Sequence, residues 1–132
     1  MLQYTSFAFL VVAAYAAYVS HMALFAMFVW LFITSVINHH LQTNGIAMIV
    51  DRITAHLIFL YLLWYAIAYR FPLTGVTFLY WFASLYTVLC FFCIVCNPKV
   101  PYCWNQRSHA IMHILSSCGT IAWLYYWKSL QA

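Results

Sequence analysis

Apolar residues follow one another along this chain in runs much longer than the turns between them. Residues 4–40 form an almost continuously apolar run that contains neither glycine nor proline. At about 1.5 Å per residue, a helix of that length far exceeds a hydrocarbon core of about 30 Å. The pattern predicts two helices, residues 3–19 and 21–40, joined by a tight turn near Ser20 and His21. One long, tilted helix is the alternative, because typical turn residues are missing.

Three further apolar runs complete the predicted bundle. One helix is expected over residues 52–70. The next is expected from Pro72 to Cys96, since proline is tolerated in a first turn. The segment Asn97–Pro101 contains two prolines and interrupts the helical pattern. A last helix over residues 107–128 brings the prediction to five transmembrane helices in one domain, or four if the first run is unbroken.

Composition assigns these helices to a membrane rather than to a soluble core. The chain of 132 residues is 68% hydrophobic and only 5% charged, whereas soluble domains carry about 25% charged residues. An all-α, multi-pass integral membrane protein is therefore predicted. The N-terminal run has no basic region ahead of it and is expected to stay as a membrane helix. The five basic residues are dispersed, so no nucleic-acid partner is expected.

Candidate chemistry is confined to a few polar side chains near helix ends. His109 and His113 are four residues apart and so share one face of the last helix. Asp51 is the only acidic residue of the chain. An even number of membrane crossings separates Asp51 from His109, which places both on the same side as Ser35 and His39. Ionisable side chains at membrane depth are rare and usually functional.

Three histidines from two helices suit a metal ion. Histidine sets with an open fourth position are typical of catalytic zinc sites. His109 and His113 supply two ligands from one helix, and His39 or His40 supplies the third from another. The residues alone leave open which member of that doublet binds.

Three further side chains are candidates for roles beside the metal. Asp51 is the only carboxylate available as a general base. Ser35 precedes His39 by four residues and lies on its face, where its hydroxyl is suited to stabilise a developing oxyanion. His56 is a candidate for hydrogen bonding to a ligand from outside the site, because metal-bound histidines usually have such a partner.

Together these motifs resemble those of the CREST superfamily of membrane hydrolases. The pattern is S-x-x-x-H from Ser35 to His39, then Asp51, then H-x-x-x-H from His109 to His113. The superfamily includes alkaline ceramidases, the progestin and adipoQ receptors with the haemolysin III proteins, and GPI-lipid remodelling proteins. Its members typically have seven helices, so this chain resembles a reduced member.

The resemblance implies a function as well as a set of ligands. It implies that His39, His109 and His113 bind Zn²⁺, with Ser35 and Asp51 as accessory groups. The expected activity is hydrolysis of an amide or ester bond in a membrane lipid, as in a ceramidase.

Two other classes of function compete with the hydrolase. Histidines from two helices can also serve as the axial ligands of haem b, here His39 or His40 with His109 or His113. That hypothesis leaves Asp51 without a role. The third possibility is a non-catalytic subunit of a larger membrane complex, which the high aromatic content and short loops allow.

Overall fold

Helices make up most of the computed structural model, which describes residues 2–41 and 45–131. No strand occurs in these two ranges, so the predicted all-α class is confirmed. The helices are α1 (Leu2–Thr5), α2 (Ala8–Tyr18), α3 (Met22–Leu41), α4 (Gly45–Ala68), α5 (Val76–Cys90) and α6 (Tyr102–Leu130).

The long N-terminal run is broken near Ser20, as the two-helix interpretation predicts, but the predicted helix 3–19 is itself divided into α1 and α2. Between α2 and α3, Ser20 adopts a left-handed backbone with φ of 66°, which breaks the helical path. The buried His21 then accepts a hydrogen bond at Nδ1 from the backbone N–H of Leu24 (3.3 Å) and so caps the start of α3. The single tilted helix is therefore wrong. Histidine is not a usual capping residue, which is why the sequence marks this turn weakly.

Two helices begin earlier than their apolar patterns indicate. α4 begins at Gly45 rather than at residue 52, so Asp51 lies inside the helix instead of opening it. α6 begins at Tyr102 rather than at Arg107. The extra residues of α4 before Asp51 are apolar apart from Gly45, whereas the extra residues of α6 include the polar Asn105 and Gln106.

The start of α5 is later than predicted. Pro72 lies in the preceding loop, where its carbonyl accepts a hydrogen bond from the Thr77 hydroxyl. Gly75 has a φ of 74°, a conformation that glycine adopts without steric cost, and α5 starts directly after it. At its other end α5 continues as a π-helical turn over Phe91–Val95, close to the predicted end at Cys96.

Within the described residues, three helices are long and apolar enough to cross a membrane: Met22–His40, Gly45–Ala68 and Val76–Ile94. Among the other described helices, α2 is apolar but has only 11 residues, about 16 Å of helix. α6 has 29 residues but carries many of the polar side chains. These three helices are consistent with the predicted membrane protein.

The helices pack in the order α4, α3, α2, α6, α5. α6 packs closely on α5 and on α2, α2 packs on α3, and α3 packs on α4. α4 is not closely packed along α5 in the described part of the chain, and the space between them forms a cavity. At the end of the bundle away from this cavity's polar residues, the fully buried Trp123 donates from Nε1 to the Leu62 carbonyl (3.2 Å).

The contact between α5 and α6 depends on a small residue. A Cβ atom added at Gly119 would lie 2.7 Å from the Cβ of Ala83 and 3.4 Å from the Cα of Tyr80. Small residues at helix contacts allow this close approach of two backbones. Gly119 therefore fixes the distance between the two helices that form one wall of the cavity.

Candidate metal centre

Three histidines from two helices meet at one end of the bundle. His39 comes from the last turn of α3, and His109 and His113 come from α6. One ring nitrogen from each lies within 4.8 Å of those of the other two. The ring centroids are 5.2 Å apart for His39 and His109, 5.4 Å for His39 and His113, and 4.7 Å for His109 and His113. We call these three residues the His triad.

The triad is largely withdrawn from solvent. His39 and His113 are buried and His109 is half-buried. The Nε2 atom of His39 is buried without a hydrogen-bond partner in the described structure. A buried polar atom left in this state costs about 1–3 kcal/mol, and a cation bound between the rings would remove that cost.

A hydroxyl group from the N-terminal helix orients one member of the triad. The Oγ1 atom of Thr5 lies 3.0 Å from Nδ1 of His113, and the ring of Phe9 packs on His113 with centroids 4.9 Å apart. With Nδ1 engaged, His113 presents Nε2 to a ligand, the arrangement typical of metal-bound histidine. Sequence analysis missed Thr5, and no local motif marks it, because it meets His113 from 108 residues away.

Asp51 lines the same cavity as the triad and is held by two side chains of α3. Thr34 donates to Oδ1 (3.3 Å) and Asn38 donates to Oδ2 (3.0 Å). Asp51 is buried, and Asn38 immediately precedes His39 of the triad. Each carboxylate oxygen has a further lone pair, so the group retains the capacity to accept a proton.

Ser35 lies one turn before His39 on α3 and is 1% exposed. Its Oγ is 2.8 Å from Oγ of Ser6, so its hydroxyl is already engaged with a residue that the sequence did not indicate. Either oxygen can be the donor of this bond. Ser35 also lines the cavity between α4 and α5. A ligand in that cavity would have to share the Ser35 hydroxyl with Ser6.

The two remaining candidate histidines lie apart from the triad. His40 is exposed, and the described three-histidine group contains His39 instead. His56 is also exposed, with Nδ1 2.6 Å from the Arg52 carbonyl oxygen. Its ring packs on Phe91 with centroids 4.9 Å apart. The hydrogen bond of His56 is therefore to its own helix rather than to a member of the triad.

A cavity of about 1190 Å³ extends from the triad into the bundle. The triad, Asp51 and Ser35 line it at one end, and apolar side chains such as Phe28, Ile58 and Leu62 line it deeper. Phe28 precedes His39 by eleven residues on α3, about 16 Å along a helix. The cavity thus joins a polar end to a long apolar interior.

The donor set fits zinc. Zinc takes neutral imidazole nitrogens at about 2.0–2.1 Å in a tetrahedral arrangement, which places ligand nitrogens roughly 3.3 Å apart. The nitrogens of the triad are already within 4.8 Å of one another, a difference that small side-chain rotations can close. Three protein ligands would leave a fourth position for water or substrate, as in catalytic zinc sites.

Fold and site together define an all-α bundle of apolar helices that surrounds a three-histidine cluster and a single carboxylate. Comparison with protein-family models, with curated proteins and with solved structures finds no match to this chain. The resemblance to the CREST superfamily therefore depends on the five motif residues and their placement alone.

Proposed function

We propose that this protein is a zinc-dependent membrane hydrolase that cleaves an amide or ester bond of a lipid. The observation that carries the proposal is that the His triad and Asp51 line the same cavity, which has a largely apolar interior. A lipid can place its hydrocarbon chain in such a cavity and its carbonyl group near the triad. A structural zinc site would more often have four protein ligands and no adjoining cavity.

Each residue has a defined part in this proposal. His39, His109 and His113 would hold the ion, and a zinc ion bound there supplies an acidified water molecule and polarisation of the lipid carbonyl. Asp51 accepts a proton on a carboxylate oxygen and can return it to the leaving group. Thr34 and Asn38 keep the carboxylate aimed while it does so. The buried hydroxyl of Ser35 stabilises negative charge on the carbonyl oxygen.

The chain would act as a multi-pass protein within the bilayer. Three of its helices meet the length and apolarity of a membrane span, and we propose that α2 and α6 complete a five-helix bundle. The apolar surface supports this, since large side chains such as Trp64, Phe78 and Phe92 are 64%, 57% and 68% exposed. Exposed apolar area of this kind suits contact with lipid.

Zinc content and lipid hydrolysis test the proposal directly. Elemental analysis of gently purified protein is expected to give about one zinc per chain. His113→Ala is expected to lose both the metal and hydrolysis. His40→Ala is the matched control, because it removes a neighbouring imidazole that the structure places outside the triad, and it is expected to keep both.

Three results would overturn this assignment. A Soret band in the visible spectrum of the purified protein would identify haem b, with a pair of these histidines as axial ligands. Absence of any bound metal would instead favour a non-catalytic subunit of a membrane complex. Equal loss of zinc in the His40 and His113 variants would show that the triad is not the binding site.

A further inference from the structure

Arg52 is a cation in the cavity wall close to the His triad. It follows Asp51 on α4, is half-buried and lines the cavity. Its Cζ atom lies 5.9 Å from the ring centroid of Phe91, which belongs to the π-helical turn after α5 and also lines the cavity. The guanidinium group therefore extends from α4 towards the opposite wall.

The protein offers this cation almost no negative charge. Asp51 is the only acidic residue of the chain; it attracts Arg52 electrostatically, but the hydrogen bonds to its oxygens come from Thr34 and Asn38. The other polar residues that line the cavity, such as His56 and Gln106, are not acidic. A divalent ion at the triad would add further positive charge to this end of the cavity.

A phosphate group is the ligand that best matches these surroundings. Guanidinium presents five N–H donors in a planar arrangement that fits phosphate oxygens, and such charge-assisted bonds are roughly twice as strong as neutral ones. A free inorganic phosphate would leave the apolar interior of the cavity, which extends about 16 Å along α3, unfilled. A phosphate group joined to a hydrocarbon chain matches both the guanidinium group at the polar end of the cavity and the apolar interior.

We propose that Arg52 binds the phosphate of an anionic lipid headgroup, so that phosphate-bearing lipids are the preferred ligands of the cavity. This inference rests on the proposed function, since it names the class of lipid that the hydrolase takes. Arg52 is thereby a specificity-determining residue, separate from the triad and from the proton-accepting carboxylate.

Arg107 provides a matched comparison at the same end of the molecule. Its Cζ is also 5.9 Å from an aromatic ring centroid, that of Trp104. It is exposed, however, and is not part of the cavity wall. An arginine in that position contacts bulk headgroups from the surface, so its removal should not affect selection inside the cavity.

Binding to the zinc-loaded protein in detergent tests the proposal without requiring turnover. The probes are an ether-linked lipid phosphate monoester that cannot be hydrolysed, its dephosphorylated counterpart with the same chain, and inorganic phosphate. Displacement of a fluorescent lipid is expected to show the phosphate-bearing lipid binding about tenfold or more tighter than the neutral one. Arg52→Gln should abolish that preference, and Arg107→Gln should retain it.

Several outcomes would overturn the proposal. They are equal binding of the two lipids, displacement by inorganic phosphate at the same concentration, and equal loss of preference in both glutamine variants. If Arg52→Gln does not fold, Arg52→Lys keeps the charge but removes the planar donor pair, and it should weaken the preference. Because the probe is not cleaved, failure of lipid hydrolysis would count against the proposed function and would leave this binding result to stand separately.

Discussion

At the scale of single residues, the orientation of an imidazole ring decides whether the triad can bind a metal. His113 has its Nδ1 atom 3.0 Å from the hydroxyl oxygen of Thr5. Partners of this kind fix the tautomer and the ring plane of metal-bound histidine. Thr5 is thus expected to contribute to metal affinity without touching the metal.

Thr5→Val removes this hydrogen bond at nearly constant volume. Zinc affinity is expected to fall about tenfold to 100-fold, as measured by competition with a chelator. Thr54→Val is the control, because its hydroxyl bonds to its own helix and to Trp30 and does not reach the triad. Equal affinity in the wild type and in Thr5→Val would contradict the orienting role.

Asp51→Asn separates proton transfer from metal binding. Asparagine can keep both contacts, because its oxygen accepts from Asn38 and its amide can donate to the Thr34 hydroxyl. The variant is expected to retain zinc while kcat falls by about 100-fold or more, the usual contribution of a general base. Unchanged turnover on the lipid substrate would show that Asp51 is not the base.

At the scale of helices, the end of α3 carries two pairs of polar residues, and each member of the second pair directly follows a member of the first in the sequence. Thr34 and Asn38 form one i,i+4 pair and bond to Asp51 of α4. Ser35 and His39 form the other pair and contact Ser6, which follows α1, and His113 of α6. A single helix therefore aims the carboxylate and one triad histidine together, because residues four apart share a face.

Helical periodicity explains what the sequence predicted of this site and what it did not. It placed Ser35 with His39 and His109 with His113, and counting crossings put both pairs at one end. Thr5 and Ser6 were missed, since periodicity defines the faces of a helix but not the helix that packs against each face. The cap at His21 was missed for a related reason, because no local residue preference marks it.

The contact between α5 and α6 can be tested by exchanging its two small residues. Gly119→Ala places a methyl group against the Cβ of Ala83, and neither backbone can yield without separating the helices. The free energy of unfolding is expected to fall by about 1–3 kcal/mol, as for other overpacked contacts. The double variant Ala83→Gly, Gly119→Ala should recover most of that loss in a denaturant titration. If the double variant is no more stable than Gly119→Ala, the loss of stability does not come from the contact with Ala83.

At the scale of the whole molecule, a metal at the triad would join helices that are distant in sequence. His39 belongs to the N-terminal half, and His109 and His113 belong to the last helix. Ligands that bind only the folded state stabilise it in proportion to the logarithm of their concentration. Stability should therefore depend on zinc.

Removal of zinc with a chelator is expected to lower the melting temperature, and its return should restore it. A free zinc concentration 100 times the Kd corresponds to about 2.7 kcal/mol of stabilisation. The measurement is thermal unfolding across a zinc titration, with His113→Ala expected to show no such dependence. A melting temperature independent of zinc in the wild type would contradict binding at the triad.

The bond between Thr5 and His113 also has a consequence for biosynthesis. The two residues are 108 positions apart, so helices α2 to α5 are synthesised after Thr5 and before His113. His39 is likewise synthesised before α4 and α5, and the other two histidines follow only in α6. A metal bound by all three histidines would therefore require α6 to have been synthesised, and such an ion would report that this helix has joined the bundle.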